Sequence, residues 1–336
     1  MKKVIQILIG FCSLFLLCSN VSQPGIYNGG GMAFTMLFPE DSLSYKKVQM
    51  QEEKIYIQLY KGYAVVKGTY KMVNTTKEKL SFKMGYPING IYNGGESDLN
   101  QVQLDSIYKF KVKSNSKELL IDKAAFDDSD NVIVFNDENW LTWQMDFLPN
   151  QTNNVEVYFI VNTNLGQVTK GYNKKETNTF IYLLESGSVW KQPIAKGDFI
   201  IELKDNLKVE YIDGISNHFN FKKHPTLNIL FGNKTNFSPT PNDNLIITYF
   251  KTLESFNFEN ILTNESHLFD TIDMLSIKEI PNNLLDYKTL DPLKVKASAL
   301  GYFPMIVTLA IIYGPFVLIG ILISILLYII YKKKKK

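Results

Sequence analysis

Arginine is absent from this sequence of 336 residues: every one of its 36 basic residues is a lysine. The guanidinium group of arginine is the side chain best suited to forked binding of phosphate and carboxylate groups. The composition therefore gives no support to a surface that reads nucleic acid, and we predict no nucleic-acid partner.

Cysteine and histidine are almost as scarce. The two cysteines, Cys12 and Cys18, lie near the N-terminus, and the three histidines are His218, His224 and His267. If the N-terminal segment is removed, the remaining chain has no thiol for a disulfide or a thiolate metal site. A histidine-rich metal site is disfavoured as well. The sequence also lacks the nucleophile elbow, the Walker loop and the zincin motif. We therefore predict no cofactor and no catalysis.

The N-terminus has the pattern of an export signal. Two lysines precede an apolar run over residues 4–17, and small or polar residues follow. The run is shorter than the roughly 20 residues that span a bilayer. This favours a cleaved signal peptide over residues 1–23 rather than an anchor. A lipoprotein signal at Cys18 is the alternative, although Leu17 stands where such signals have a small residue.

The C-terminus predicts a membrane anchor. Residues 297–331 contain no charged side chain, and lysines occupy residues 332–336. A helix over residues 303–331 is long enough for one crossing of the bilayer, and the lysines would stay cytoplasmic by the positive-inside rule. We therefore predict a single-pass protein of the cell membrane, in contact with the lipid bilayer, whose bulk is extracytoplasmic.

Two kinds of source remain open. The scarcity of cysteine, together with the abundance of lysine, asparagine and isoleucine, is typical of an exported bacterial protein. Five N-x-S/T sites and the C-terminal lysines are instead typical of a eukaryotic type I protein of the endoplasmic-reticulum membrane. That protein class stays an alternative.

Between the two ends, the dominant hydrophobic period is two. Alternating runs occupy residues 54–59, 64–72, 82–86, 108–112, 155–161, 199–203 and 245–249. Alternation with one polar face is typical of antiparallel sheets that pack on a core by one side. Strands at this spacing, without intervening helices, favour an all-β fold of one or two Ig-like antiparallel β-sandwiches.

Composition and spacing divide the chain further. A stretch rich in glycine, asparagine and lysine follows residue 165 and predicts a domain boundary there. Leu268, Ile272 and Leu275 recur at helical spacing and predict a short helix near residues 264–279. The predicted segments after the signal peptide are sandwich domains over residues 24–165 and 166–262, a helix and stalk over 263–302, the membrane helix over 303–331 and a tail over 332–336.

The strand over residues 140–147 assigns its two tryptophans to opposite faces. Trp143 shares its face with three apolar side chains, so we predict that it belongs to the core. Trp140 shares the polar face with Gln144, and an aromatic ring at a rim can stack on a sugar or a peptide. Trp140 and Gln144 are therefore candidate ligand-binding residues. Packing of Trp140 beneath a neighbouring loop is the alternative.

Carboxylates cluster in one segment. Asp127, Asp128 and Asp130 precede an apolar strand, and Asp137 and Glu138 follow it. Because calcium takes six to eight oxygen ligands, the first three are candidate metal ligands. Two solvated turns that flank a hairpin strand explain the same residues. Two of these carboxylates would also make a glycosidase pair, so a hydrolase of envelope glycan is an alternative function.

Short motifs resemble those of a known family. They include YKMVN at residues 70–74, MGYP at residues 84–87 and the segment over residues 182–190. These motifs resemble an exported bacterial β-rich family of unknown function. The resemblance implies an extracytoplasmic, often membrane-anchored domain and assigns no catalytic residue. With the residue patterns, it favours a membrane-anchored β-sandwich protein with a binding or structural role, whose further partner is an envelope protein or a glycan.

Overall fold

The computed structural model describes residues 42–87, 89–93, 100–121, 140–164, 166–170, 173–294, 296 and 299–334. The predicted signal peptide, the three candidate metal ligands Asp127, Asp128 and Asp130, and the remaining carboxylates of the glycosidase alternative lie outside the described residues.

Strands dominate the described part of the chain. They are β1 (Val48–Leu59), β2 (Tyr63–Asn74), β3 (Leu80–Pro87), β4 (Asn89–Asn93), β5 (Asn100–Ser114), β6 (Lys117–Glu118), β7 (Trp140–Phe147), β8 (Thr152–Asn162), β9 (Gln167–Lys170), β10 (Asn173–Glu176), β11 (Asn178–Tyr182), β12 (Ile194–Leu203), β13 (Ile212–Ile215), β14 (Lys222–Lys223), β15 (Ile229–Phe237), β16 (Leu245–Tyr249) and β17 (Leu285–Asp286). The α-helices are α1 (Ser42–Tyr45), α2 (Phe258–Leu262), α3 (Glu265–Ser276) and α4 (Ala299–Lys334).

Twelve of these strands form one long sheet. Its order is β10-β9-β5-β8-β2-β1-β12-β15-β14-β17, with β4 and β6 paired to β5. Neighbouring strands run antiparallel except β1 and β12, which run parallel. Parallel neighbours need a long crossover, and here the crossover carries β2 to β11. The prediction of a β-rich fold with few helices is confirmed, but the mixed long sheet is not the antiparallel Ig-like sandwich that the sequence predicted.

Both faces of the long sheet are covered. The pair β3–β7 and the three-stranded sheet β11–β16–β13 pack on one face, and helices α2 and α3 pack on the other. Adjacent residues of a central strand, such as Phe159 and Ile160, are therefore buried in two different apolar clusters. The expectation of one polar face is wrong for these central strands, because helices cover the face that was expected to meet water.

The long sheet continues across residue 165. β1 and β12, from opposite sides of that residue, are paired neighbours. One apolar cluster contains side chains from Tyr45 to Tyr249. Of the two arrangements that the sequence left open, one sandwich or two, the described residues favour one continuous unit.

Helix α3 confirms the short helix that the sequence predicted. Leu268, Ile272 and Leu275 are all buried against the long sheet. An ion pair adds to this packing, because the Nζ of Lys67 on β2 donates a hydrogen bond to Oδ1 of Asp273 at 2.6 Å. The side chain of Lys67 is 8% exposed, so this pair ties α3 to the sheet at a nearly dry position.

After α3 the chain returns to the sheet before it reaches α4. Residues 281–294, here called the strap, include β17, which pairs with β14. The N–H of Ile215 donates to the carbonyl oxygen of Leu290 at 2.9 Å. Gly214 allows close approach, since a Cβ there would lie 2.4 Å from the Cα of Pro292. The predicted stalk is thus bound to the body over much of its length.

Within the described residues, one helix is long and apolar enough to cross a membrane. This stretch runs from Ile306 to Lys334 inside α4, and its apolar window is not buried by the rest of the chain. At about 1.5 Å per residue it is longer than the roughly 30 Å hydrocarbon core of a bilayer. The finding is consistent with the anchor predicted over residues 303–331.

Candidate functional site

A cavity of about 90 Å³ lies between the long sheet and the layer of shorter sheets. Its lining comes from β1, β2, β3, β7, β8, β11 and the 3₁₀ helix Leu184–Val189. Gly85, Tyr86, Ser186 and Val189 are the partly exposed members of the lining, so they mark its solvent side. A space of this volume holds several waters or a ligand of a few non-hydrogen atoms.

A β-bulge in β1 brings two lining residues to the same face. Met50 pairs with Met72 and Glu52 pairs with Lys71, which leaves Gln51 as the extra residue. Side chains alternate along a strand, and an extra residue reverses the alternation beyond it. Met50 before the bulge and Glu53 after it therefore both face the core.

Glu53 is the polar centre of the cavity. It is 3% exposed and lies directly opposite Tyr70 of β2. Its Oε1 accepts a hydrogen bond from the hydroxyl of Tyr182 at 2.7 Å. Within the described residues its other oxygen, Oε2, is buried and has no hydrogen-bond partner. A buried polar atom of this kind is costly unless something pairs with it.

Three tyrosine hydroxyls surround the carboxyl. The oxygens of Tyr70 and Tyr182 are 2.8 Å apart. Because Tyr182 gives its single proton to Glu53, Tyr70 must donate to Tyr182. Tyr86 is hydrogen-bonded to the same two hydroxyls. The proton of each tyrosine in this relay is thus directed toward the carboxyl.

Burial controls the ionisation of these groups. Loss of hydration raises the pKa of Glu53 from 4.5 to about 7, although the hydrogen bond from Tyr182 opposes the shift. The pKa values of Tyr70, Tyr86 and Tyr182 rise above their usual value, first because of burial and then because of the neighbouring Glu53 or tyrosines. At neutral pH the tyrosines are therefore neutral, while Glu53 exchanges a proton.

Gly68 makes room for the tyrosine that faces Glu53. It lies on the same face of β2 as Tyr70, two residues away. A Cβ at Gly68 would lie 2.4 Å from the hydroxyl oxygen of Tyr70. The ring of Tyr70 therefore folds back over the glycine, and this conformation carries its hydroxyl to Tyr182.

Trp143 forms another part of the wall. It is 2% exposed and pairs with Met84 across β3 and β7, which confirms the prediction that it belongs to the core. Its Nε1 is buried and has no hydrogen-bond partner among the described residues. The cavity lining thus contains one unpaired donor, on Trp143, and one unpaired oxygen, on Glu53.

The 3₁₀ helix at the solvent side is fixed by a reciprocal pair of hydrogen bonds. The backbone N–H of Glu185 donates to Oδ1 of Asn244 at 3.0 Å, and Nδ2 of Asn244 donates to Oε1 of Glu185 at 3.0 Å. Trp190, which follows this helix, is 8% exposed and lines the cavity. The opening is therefore built on an anchored segment.

The sequence-predicted ligand residues lie elsewhere. Trp140 begins β7, and its backbone pairs with Pro87. Gln144 is exposed, and its Nε2 donates to Oγ of Ser81 at 3.0 Å, on the outer face of the β3–β7 pair. Neither residue lines the cavity, so their proposed role in ligand binding stays a prediction.

Metal binding finds no geometry in the described part of the chain. No group of three or more histidine, cysteine or carboxylate side chains comes together there. His218 and His267 are exposed, and Nδ1 of His224 accepts hydrogen bonds from the backbone of residues 226 and 227. The calcium prediction concerns Asp127, Asp128 and Asp130 and is untested.

Sequence analysis missed Glu53. The signal was present, because Glu53 continues the alternation of Ile55, Ile57 and Leu59, which all face the core. A charged residue in step with core positions marks a buried carboxyl. The expected strand began after Glu53, so this position was not assigned to a face.

Comparison with known proteins yields only distant structural likenesses. No family model matches the chain, and no curated protein matches it. A proposed nutrient binding protein from Legionella pneumophila is similar with a TM-score of 0.42 and 16% identity, over 61% of this chain and 68% of that protein. Native yeast LTA4 hydrolase is similar with a TM-score of 0.33 and 9% identity, over 61% of this chain and 29% of that enzyme. Neither likeness carries an argument, so the candidate site rests on its own geometry.

Proposed function

We propose that this chain is a single-pass protein of the cell membrane that holds its β-rich body outside the cytoplasm and binds a small ligand in the Glu53 cavity. The apolar helix at the C-terminus and the lysines that follow it support the anchoring and the orientation. The export signal over residues 1–23 is part of the same proposal, as is the resemblance to an exported bacterial β-rich family.

One observation carries the binding role. Glu53 Oε2 and Trp143 Nε1 are buried, unpaired within the described residues, and belong to side chains that line the same cavity. Buried polar atoms in native proteins are nearly always paired with protein, water or ligand. A mostly apolar cavity with a few convergent polar groups is the usual form of a small-molecule site.

The proposed role is binding without catalysis. Glu53 is the single carboxyl among the described lining residues. Glycoside hydrolysis ordinarily requires two carboxyl groups on either side of the bond that breaks. The cavity therefore does not supply the pair that the hydrolase alternative needs. An envelope protein or a glycan stays a proposed partner of the outer surface of the body.

Binding is tested with the full-length protein in detergent micelles. Small fragments of either charge or none are screened by thermal unfolding and by tryptophan fluorescence, since Trp143 and Trp190 line the cavity. At least one fragment should raise the melting temperature of wild type but not of Val157→Phe, whose new ring fills the cavity. Val157→Leu is the milder variant if phenylalanine disrupts folding. A panel without any binder would overturn the proposal.

Orientation is tested with single cysteines. Cys12 and Cys18 both lie within the predicted signal peptide, so the remaining chain has no other thiol. Ser188→Cys, at an exposed position of the 3₁₀ helix, should react in intact cells with a membrane-impermeant maleimide. Lys332→Cys should react only after the membrane is opened. The reverse pattern would refute the extracytoplasmic location.

A further inference from the structure

We propose that the ligand of the Glu53 cavity is a small organic ammonium ion, an inference that rests on the binding function proposed above. It follows from three properties of the lining: its charge, its hydrogen-bond balance and its aromatic rings.

The charge of the lining has one sign. Glu53 is its single carboxyl, and no lysine or histidine belongs to the described lining. A charge buried without a partner is strongly disfavoured. An anionic ligand would meet no opposite charge and would lie beside a carboxyl, whereas an ammonium group would find its partner in Glu53.

The hydrogen-bond balance selects a donor. The proton of Tyr182 is given to Glu53 Oε1, and the proton of Tyr70 is given to Tyr182. These hydroxyls therefore have no further proton to offer. The free valence at the carboxyl is Oε2, which accepts. An ammonium N–H fits this oxygen, and a hydrogen bond between two charged groups is about twice as strong as a neutral one.

Aromatic rings complete the recognition. Tyr45 and Trp190 are in edge contact, with ring centroids 5.5 Å apart, and both line the cavity together with Tyr86 and Trp143. The faces of tyrosine and tryptophan rings attract cations, and this attraction grows where water is excluded. The volume of about 90 Å³ limits the organic part to a short chain.

Propylammonium, propanol and propionate test the inference, because they differ in charge but little in size. Each is titrated calorimetrically into the full-length protein in neutral detergent. Propylammonium should bind about 30-fold more tightly than propanol, a difference of about 2 kcal/mol, and propionate should bind most weakly. In Glu53→Gln the first two ligands should come within about threefold of each other. Glu52→Gln, at the neighbouring position outside the cavity, should keep the preference.

The pH dependence supplies a second readout. Tyr70, Tyr86 and Tyr182 are the groups that face Glu53 from neighbouring strands, and all three stay neutral because burial raises their pKa values. Glu185 of the 3₁₀ helix is bonded to Asn244 instead. Ionisation of Glu53 should therefore set the affinity for propylammonium, which should fall about tenfold per pH unit below about pH 7 and level off above it.

The outcomes separate the two proposals. Equal affinity for propanol and propylammonium would overturn the ammonium ligand while leaving a binding cavity. Preference for propylammonium that survives in Glu53→Gln would also overturn it, since the cation would then bind elsewhere. If propylammonium does not bind at all, the ammonium inference fails, and the fragment screen with Val157→Phe decides the binding function separately.

Discussion

Replacing Glu53 with glutamine tests whether one buried carboxyl governs the pH dependence of stability. The pKa of Glu53 is about 7 in the folded protein, against 4.5 for an ordinary glutamate. Between these values the folded protein holds one proton more than the unfolded chain. The free energy of unfolding then falls by about 1.4 kcal/mol for each pH unit.

The sign and the size of the effect follow from these two pKa values. The stabilising contribution is fully present below the unfolded pKa and is lost as the pH rises through the folded pKa. Over the whole window the loss is about 3 kcal/mol. Glutamine resembles the protonated carboxyl and does not ionise. Glu53→Gln should therefore match wild type near pH 4.5 and be about 3 kcal/mol more stable above pH 7.

Urea denaturation of the full-length protein in micelles, followed by tryptophan fluorescence, measures this difference from about pH 5 to about pH 8. Glu52→Gln is the matched control. The Nζ of Lys71 donates to the Glu52 carboxylate at 2.9 Å and lowers its pKa. That contribution is lost as the pH falls, so the control should show a small trend of opposite sign. A difference between wild type and Glu53→Gln that is constant across this range would refute the reasoning.

Three other substitutions test the packing. Trp143→Ala should lower the free energy of unfolding by about 3 to 5 kcal/mol and Trp140→Ala by much less; equal losses in thermal melts would contradict their placement on opposite faces. Asp273→Ala removes the nearest partner of Lys67 and should cost about 1 to 2 kcal/mol, a value reduced because the Asp273 side chain is 43% exposed. Adding Lys67→Met should recover part of that loss in urea denaturation, and a fully additive loss would exclude the pair as its cause. Gly214→Ala presses a methyl group against the strap, so limited proteolysis should cut the strap faster than in wild type; an unchanged rate would show that the contact is not needed.

The features that local pattern determines were predictable from the sequence. Helix α3 follows from the spacing of Leu268, Ile272 and Leu275, which needs no knowledge of the partner surface. The core position of Trp143 follows from alternation along one strand. The membrane helix follows from an uncharged run and its terminal lysines.

The features that depend on distant partners were not predictable in the same way. The parallel pairing of β1 and β12 joins segments that are more than a hundred residues apart, and alternation does not reveal which strands are neighbours. The bulge at Gln51 changes which side chains face the core, although nothing in the local residue pattern indicates it. Glu53 faces Tyr182 because of that pairing and that bulge together. The candidate site was therefore hidden until the sheet was assembled.

The strap also determines how the body responds to mechanical tension. A pull transmitted from α4 reaches β17 first, and its two residues pair with β14 at the end of the long sheet. The bonds from Tyr287 N–H to Phe221 O and from Ile215 N–H to Leu290 O come under load as the segment is drawn away. A terminal strand is peeled one bond at a time, so the force is low at each step. Residues 285–292 then release up to about 27 Å of chain, at roughly 3.4 Å per residue. The strap thus acts as a shock absorber that spares the cavity while the membrane moves beneath it.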